Sequence, residues 1–139
     1  MSMTLLAVVG LNCGLTTVDM NNYAKDLELP VTFTHEADLR THSGYLPVRV
    51  AGIETGVETY FDENPDYLNS LPPNEAIDSS RSAIVTFRWG GNLKEGATAL
   101  YMAYMLGMKC HAELFDTEGG DYVPVDMAKQ SAEAMMSME

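Results

Sequence analysis

Hydrophobic and polar positions along the chain predict strands and helices in alternation, without an internal repeat. The run over residues 4–11 is apolar and rich in strand-forming residues, which predicts a first buried strand. Apolar residues then recur at helical spacing over 19–27, with Thr17 or Asp19 available as the N-cap. Pro30 forces an extended backbone, so a short strand is expected directly after it.

The middle of the chain predicts a hairpin followed by an irregular segment. Residues 45–50 and 53–61 are rich in strand formers, and the Ala-Gly pair between them suits a turn. Pro47 makes the first of the two an edge strand or a strand start. Residues 64–81 are punctuated by prolines and serines, which predicts a loop with one helical turn near its beginning. A loop of this length in a small domain is often functional.

The strongest pattern is a strand followed by a long helix. Residues 82–89 are rich in strand formers and show little alternation of polar and apolar positions, which predicts a central strand covered on both faces or nearly so. Two glycines supply the turn after it. Asn92 is the expected N-cap of the helix, with Glu95 three residues later, and the apolar spacing continues to about residue 109.

A further strand over 112–115 and an amphipathic helix over 125–138 complete the predicted elements. With 139 residues and 46% hydrophobic content, the chain is long enough for one domain with one core. We therefore expect a single α+β or α/β domain over residues 1–139, with a mixed sheet and helices packed mainly on one face. If the strands at 82–89 and 112–115 are parallel neighbours, the crossover between them is right-handed.

The net charge restricts the possible partners. Eight Lys and Arg stand against 20 Asp and Glu, which gives a formal net charge of −12. Nucleic-acid binding is disfavoured because phosphate contacts require a basic patch, and anionic membrane surfaces are disfavoured for the same reason. The first apolar run is also far shorter than the roughly 20 residues of a membrane span. These observations predict a cytoplasmic protein that binds neither nucleic acids nor membranes.

The two cysteines, Cys13 and Cys110, are far apart in sequence and form no CxxC motif. A disulfide between them is not predictable from spacing, because its geometry depends on the fold. A chain of this size does not need one for stability. We expect two buried or half-buried thiols in a reducing cytosol.

Patterns for enzymatic or metal chemistry are weak. The acids and histidines around His35 and His42 match no standard zinc spacing and lack HExxH. His42 precedes Ser43, and Cys110 precedes His111, but sequence adjacency is poor support for a nucleophile and its base. The two-glycine turn before the long helix lacks the phosphate-binding motifs. No catalytic residue, metal or cofactor is predicted, and the expectation is a protein that is not an enzyme.

Arg88 and Trp89 end the predicted central strand and have two interpretations each. An arginine in an apolar strand must find a carboxylate or reach solvent. A structural ion pair with Glu54, Glu58 or Glu95 is expected, and a ligand-binding cation is the alternative. Trp89 is expected in the core or at its rim rather than as a stacking platform. The methionines of the last two helices are expected to pack between helices, with an adaptable partner surface as the alternative.

Acidic residues concentrate between Arg49 and Arg81, where seven acids occur without any Lys or Arg. Such a surface attracts cationic partners, although a solubility role alone is the competing interpretation. Tyrosines and a phenylalanine within the stretch favour a protein-binding face, since aromatic residues are enriched at interfaces. The predicted partner-binding residues are Glu54, Glu58, Tyr60, Asp62, Glu63, Asp66 and Tyr67.

Three short segments resemble a group of small bacterial proteins of about this length. They are residues 42–47 (HSGYLP), 52–58 (GIETGVE) and 87–91 (FRWGG), the last of which precedes an alanine-rich helix. The resemblance implies an accessory or immunity-type protein that neutralises a secreted toxin. No catalytic residue is carried over from the group.

Three hypotheses follow for the function. The leading one is an acidic binding protein that occludes a basic partner, such as a nuclease-type toxin domain, without catalysis. The alternative is a small-ligand-binding protein or enzyme with a pocket beside the two-glycine turn. The residues named for that pocket are His42, Glu54, Glu58, Arg88, Trp89 and Glu95. The third is a homo-oligomeric structural protein, such as a homodimer, whose interface is the methionine-rich last helix.

Overall fold

The computed structural model describes residues 2–138 as seven strands and four helices. The strands are β1 (Met3–Gly10), β2 (Val31–Thr32), β3 (Gly44–Val50), β4 (Ile53–Asp62), β5 (Ser82–Trp89), β6 (Glu113–Asp116) and β7 (Asp121–Val123). The helices are α1 (Thr17–Asp26), α2 (Pro65–Asn69), α3 (Leu93–Cys110) and α4 (Val125–Ser137). Every predicted element is present within two residues at each end, and β7 is additional.

All seven strands form one sheet in the order β2-β3-β4-β5-β1-β6-β7. Each pairing in it is antiparallel, so the sheet differs from the mixed one expected. The strands before and after α3, β5 and β6, run parallel to each other, but β1 lies between them. The predicted right-handed crossover applied only if β5 and β6 were neighbours. They are not, because β1, from the start of the chain, lies between them.

One face of the sheet is covered by α1, α3 and α4 and carries the main core. Leu5, Ala7 and Val9 of β1 lie on this face, because alternate residues of a strand share a side. Met102 and Met105 of α3 belong to the same core and are fully buried. The expected helix packing of the methionines does not hold for Met108 and Met138, which are exposed. The predicted α+β class, with helices mainly on one face, is confirmed.

The opposite face of the sheet is covered over only part of its area. Leu6 of β1 and Ile84 of β5 pack there against Leu68 of α2, and Ile77 of the following segment adds partial cover. The irregular segment predicted over 64–81 thus forms a second, smaller hydrophobic layer. It begins with the predicted helical turn.

This partial cover divides β5. Its first half is buried on both faces, at Ala83, Ile84 and Val85. Its second half is buried on the helix side only, and Arg88 is exposed. The expectation of a strand covered on both faces holds for the half of β5 that lies under α2 and is wrong for the other half.

The predicted hairpin is confirmed as β3 and β4. Ala51 and Gly52 connect the strands with φ values of 51° and 78°, the left-handed conformations that a two-residue hairpin turn requires. Pro47 lies beyond the short β2, which pairs only with Arg49 and Val50. Its missing N–H therefore breaks no pairing with β2, which matches the predicted edge position.

The two cysteines are joined by a disulfide, and the expectation of free thiols is wrong. Cys13 follows β1 and Cys110 is the last residue of α3, with Cα atoms 5.6 Å apart across a sequence separation of 97. This spacing lies within the range that a disulfide bridges. The sequence did not predict the bond, because only the packing of α3 along the sheet brings the end of α3 close to the segment that follows β1.

Candidate functional site

The uncovered half of the sheet presents a continuous row of polar and aromatic side chains, here called the open sheet face. On β3 the helix side carries fully buried residues such as Val48, whereas Tyr45 is 49% exposed. The same alternation on β4 and β5 places Glu58 and Arg88 on the uncovered side. The members of the open sheet face are Tyr45, Arg49, Glu54, Glu58, Tyr60, Asp62, Thr86 and Arg88.

Tyr60 and Glu58 are held together at the centre of this face. The Tyr60 hydroxyl donates a hydrogen bond to Glu58 Oε1 at 2.6 Å. That bond raises the pKa of Tyr60, because the carboxylate stabilises the protonated phenol. The two side chains therefore form a fixed pair of one aromatic ring and one acid, a geometry suited to contacting a partner.

Arg88 lies directly opposite Glu58 in the β4–β5 register. Among the described residues no carboxylate oxygen lies within 4.0 Å of its guanidinium, which is 3.4 Å from the hydroxyl of Ser2. The predicted structural ion pair is wrong, because Arg88 reaches solvent over the open sheet face instead of lying under a helix.

Within residues 2–138, Glu54 is the one predicted partner-binding acid with an ion pair. Arg49 on β3 donates from Nε to Glu54 Oε1 at 2.6 Å, and the two residues are cross-strand partners. The pair is exposed and contributes little to stability. It does offset the negative charge at this end of the open sheet face, so Glu54 adds less to the attraction of a cation than the sequence implies.

The other end of β4 is more strongly acidic, and Asp62, Glu63 and Asp66 are here called the acidic corner. Asp62 Oδ1 accepts a hydrogen bond from the backbone N–H of Asn64 at 2.7 Å. Asn64 in turn caps α2, its side-chain oxygen accepting from the N–H of Asp66 at 2.9 Å. These bonds fix the backbone of the corner, and neither Glu63 nor Asp66 is paired with a cation within 4.0 Å among residues 2–138.

Tyr67 lies beside the acidic corner but faces inwards. It is half-buried and packs on the hydrophobic layer that contains Leu6 and Ile84. Burial raises the pKa of Tyr67, and the negative charge of Asp62 adds to the effect. Of the predicted aromatic contacts, Tyr67 therefore has mainly a packing role.

Tyr45 belongs to the open sheet face and was missed by the sequence reasoning. Its ring lies across Gly56 of β4, where an added Cβ would come within 2.7 Å of the ring. Glycine in a strand leaves a gap in side-chain packing, and a neighbouring aromatic ring covers it. The pairing of a tyrosine with a glycine one strand away was present in the sequence, but only the hairpin register reveals it.

The predicted alternative pocket is not assembled. Trp89 is buried on the helix side and lines a cavity of about 200 Å³ with Leu5 and Met135, whereas Arg88 points to the opposite face. His42 precedes β3, and its Nε2 lies 3.0 Å from the backbone oxygen of Tyr45. These residues do not converge on one cleft, because neighbouring residues of a strand alternate between faces.

Another cavity lies at the end of the sheet where β1 ends and β5 begins. It has a volume of about 470 Å³ and is bounded by Asn12, Ile77, Arg81, Cys110 and His111. Residues of the 64–81 segment, among them Ile77 and Arg81, form one wall. The residues themselves were not predicted, since their proximity depends on the same packing that forms the disulfide.

Charged groups of both signs line this cavity. Asp78 accepts from the Ser80 hydroxyl at 2.7 Å and from its N–H at 3.0 Å, and these bonds lower the pKa of Asp78. Glu113 accepts from the side-chain amide of Asn74 at 2.9 Å. Arg81 also lines the cavity. The arrangement provides one guanidinium and two carboxylates around a space large enough for a small polar molecule.

A further cavity, of about 260 Å³, adjoins the disulfide. Its walls include both cysteines, Tyr23 and Lys109. The Tyr23 hydroxyl donates to the backbone oxygen of Gly14 at 2.8 Å and lies 3.9 Å from Cys110 Sγ. Burial raises the pKa of Tyr23, and the Asp19 carboxylate adds to this. Lys109 forms an ion pair with Asp26 at 3.1 Å.

The three histidines occupy separate places, at His35, His42 and the C-cap of α3, His111. Within residues 2–138, no three His, Cys, Asp or Glu side chains are grouped so as to hold a metal ion. In the same part of the chain, no helix combines the length and apolar character needed to cross a membrane.

Compared with known proteins, the chain matches no family model, no curated protein and no solved structure. The likeness to small bacterial proteins therefore remains an expectation from three short segments.

Proposed function

We propose that the protein binds a basic protein partner through the open sheet face and the acidic corner, and that it acts by occlusion rather than by catalysis. The observation that carries the proposal is the placement of Glu58, Tyr60 and Asp62 in succession on the uncovered side of β4, leading directly to Glu63 and Asp66. Acidic and aromatic side chains on one flat face suit a cationic protein surface.

The charge pattern within this surface supports a defined orientation of the partner. Arg49 and Arg88 lie among the acids on the β3 and β5 sides, whereas no described cation lies within 4.0 Å of a carboxylate of the acidic corner. A basic partner would be attracted most strongly at the corner, and Tyr45 and Tyr60 would supply the apolar contact area. The resemblance noted for the sequence makes a secreted toxin domain the proposed partner and an immunity-type role the proposed purpose.

The test is affinity capture from the source organism with three forms of the tagged protein. The first is the wild type, and the second is Asp62→Asn/Glu63→Gln/Asp66→Asn, which removes three charges but keeps the oxygen acceptors. The matched control, Glu118→Gln/Asp121→Asn/Asp126→Asn, removes three exposed charges around β7, near the far edge of the sheet. All three are washed at low and then high salt.

The proposal would be supported if the wild type and the control retain a basic protein that the corner variant does not retain, and if high salt releases it. The identified partner would then be titrated against each form. The corner variant should bind at least about 10-fold more weakly, because exposed interface charges mainly raise the association rate. Equal retention by all three forms, or no retained protein at low salt, would refute the proposal.

A second candidate function is binding of a small polar ligand in the 470 Å³ cavity. The specific observation in its favour is the presence of Arg81, Asp78 and Glu113 around that space. This site replaces the one expected around His42 and Arg88. A thermal-shift screen of small zwitterions would support it by a rise in Tm that Arg81→Gln abolishes, and an unchanged Tm for every compound would count against it.

The cytoplasm is the proposed compartment, and the disulfide makes this testable. Disulfides persist mainly in oxidising compartments, so a cytoplasmic location requires Cys13 and Cys110 to be thiols there. Alkylation of intact cells before lysis, followed by mass measurement, separates the cases. Two alkylated cysteines would support the cytoplasm, and an intact disulfide would place the protein in an oxidising compartment.

A further inference from the structure

The Cys13–Cys110 disulfide presents its two halves unequally to the surrounding cavities. Cys13 is 6% exposed and belongs to the helix-side core. Cys110 is half-buried at the end of α3 and lines both the 470 Å³ and the 260 Å³ cavity. Cys13 lines only the 260 Å³ cavity. The larger cavity is therefore bounded by one half of the disulfide, Cys110, and not by the other.

Thiol–disulfide exchange depends on which sulfur a thiolate is able to reach. We propose that the 470 Å³ cavity admits a small thiol which attacks Cys110 Sγ and opens the Cys13–Cys110 disulfide in the folded protein. The proposal deepens the second candidate function, because it names the class of ligand for that cavity. It does not depend on binding of a protein partner at the open sheet face.

The exchange has two steps. The thiolate of the small molecule attacks Cys110 Sγ, forming a bond between its sulfur and Cys110 while the Sγ–Sγ bond to Cys13 breaks. The electron pair of that bond stays on Cys13, which leaves as a thiolate and takes a proton from solvent. A second small thiolate attacks the sulfur of the first, so that Cys110 becomes free and two small thiols leave oxidised as one disulfide.

The charges in the cavity indicate which kind of thiol it admits. Arg81 has no carboxylate within 4.0 Å among residues 2–138 and is able to receive a carboxylate of the ligand. Asp78 and Glu113 are placed to receive an ammonium group. These groups are complementary to a small zwitterionic thiol, such as a thiol-containing amino acid or short peptide, rather than to a neutral thiol.

The first experiment locates the mixed disulfide. The folded wild type is incubated with glutathione without denaturant, quenched in acid, and mapped by peptide mass spectrometry. The expected adduct is on Cys110, with Cys13 as a free thiol. An adduct mainly on Cys13, or no opening unless denaturant is present, would overturn the proposal.

The second experiment tests the cavity itself. Rates of disulfide opening are measured for the wild type and for Arg81→Gln, with glutathione and with 2-mercaptoethanol, which carries neither a carboxylate nor an ammonium group. Removing one exposed cation near the ligand should slow the reaction with glutathione about fivefold, as expected for a solvent-screened charge pair, and slow the reaction with 2-mercaptoethanol less, because its thiolate has no carboxylate for Arg81 to receive. The matched control is Arg49→Gln, which changes the net charge equally at the distant end of β3.

The two arginine variants separate a local site from the overall charge. With a net charge of −12, the whole protein repels an anionic thiol, and that effect grows equally in both variants. A slower glutathione reaction only in Arg81→Gln supports a site in the cavity. Equal slowing in both variants, or equal slowing with both thiols, would refute it.

Discussion

A Cβ atom placed on Gly107 of α3 would lie 2.7 Å from both Cγ atoms of Val125, the first residue of α4. Three turns earlier, on the same side of α3, a Cβ on Gly96 would lie 2.9 Å from Met135 Sδ near the end of α4. Gly96 and Gly107 therefore let α4 pack closely and antiparallel along α3.

Gly107→Ala should destabilise the protein despite a gain in helix propensity. Overpacking of a buried site costs about 1–3 kcal/mol, whereas replacing glycine by alanine in a helix returns at most about 1 kcal/mol. The stiff, β-branched Val125 is not able to move aside easily. Urea unfolding should show a lower midpoint with an unchanged slope. Gly91→Ala is the control, because nothing lies within 4 Å of its added Cβ, and a midpoint for Gly107→Ala at or above that of the control would contradict the argument.

Reduction of the disulfide should lower the free energy of unfolding substantially. The bond closes a loop with a sequence separation of 97, and the chain-entropy relation gives about 4–5 kcal/mol for a loop of this size. The oxidised and reduced forms of the wild type should be compared by urea unfolding at one pH, because they have the same side chains apart from the disulfide. Cys13→Ala/Cys110→Ala should resemble the reduced form. Equal midpoints for oxidised and reduced protein would show that the bond constrains little.

Thr59→Val should stabilise the fold. Thr59 is fully buried on the helix side of β4, and its hydroxyl has no hydrogen-bond partner within residues 2–138. An unpartnered buried hydroxyl costs about 1–3 kcal/mol, and valine has nearly the same shape. We expect a gain of about 1 kcal/mol in thermal or urea unfolding.

Thr98→Val is the matched control for this substitution. Thr98 is equally buried, but its hydroxyl donates to the backbone oxygen of Lys94 at 2.7 Å. Its replacement should not stabilise, since a hydrogen bond is lost. If both variants shift stability alike, the missing partner of Thr59 is not the cause.

Arg88→Ala should leave stability almost unchanged. Arg88 is exposed and lies opposite Glu58, and in the described part of the chain it has no ion pair within 4.0 Å. The change is therefore expected to stay within about 0.5 kcal/mol. Chemical unfolding checks this directly. A loss of about 3 kcal/mol or more would indicate a buried ion pair, which such truncations break.

Stability should fall as pH rises above about 10. Six tyrosines have pKa values raised in the folded protein, chiefly by burial and, for Tyr60, by the hydrogen bond to Glu58. In this range the folded chain therefore holds more protons than the unfolded chain. The stability that the raised tyrosine pKa values contribute is complete below the ordinary tyrosine pKa of about 10 and is lost as the pH rises above it. Urea midpoints at pH 8, 10 and 11, with tyrosinate absorbance, measure the effect. Native and denatured chains with the same tyrosinate midpoint would contradict it.

The local elements could be predicted because hydrophobic periodicity and capping act over a few residues. The Asn92 N-cap is confirmed, its side chain accepting from the N–H groups of Lys94 and Glu95. The hairpin was predictable from two strand-forming runs around Ala51 and Gly52. The order of these elements, each of which must bury one face, predicted an α+β or α/β domain, and the antiparallel pairing of every strand identifies it as α+β.

The candidate site was only partly predictable. Glu58, Tyr60 and Asp62 share a face because they alternate along a strand, which the sequence shows once β4 is assigned. Tyr45 was missed because its place beside Gly56 depends on the register between strands. Arg88 was misjudged because the sequence does not reveal which half of β5 the 64–81 segment covers.

By itself, the sequence determined the elements, their approximate ends, the acidic charge and the alternation of each strand, since these depend on neighbouring residues and on composition. Only the tertiary structure decided that β1 lies between β5 and β6, that the second face of the sheet is half open, and that Cys13 meets Cys110. These outcomes depend on contacts between residues far apart in the chain. Many chain paths satisfy the local preferences, and the packing of the two faces of the sheet selects among them.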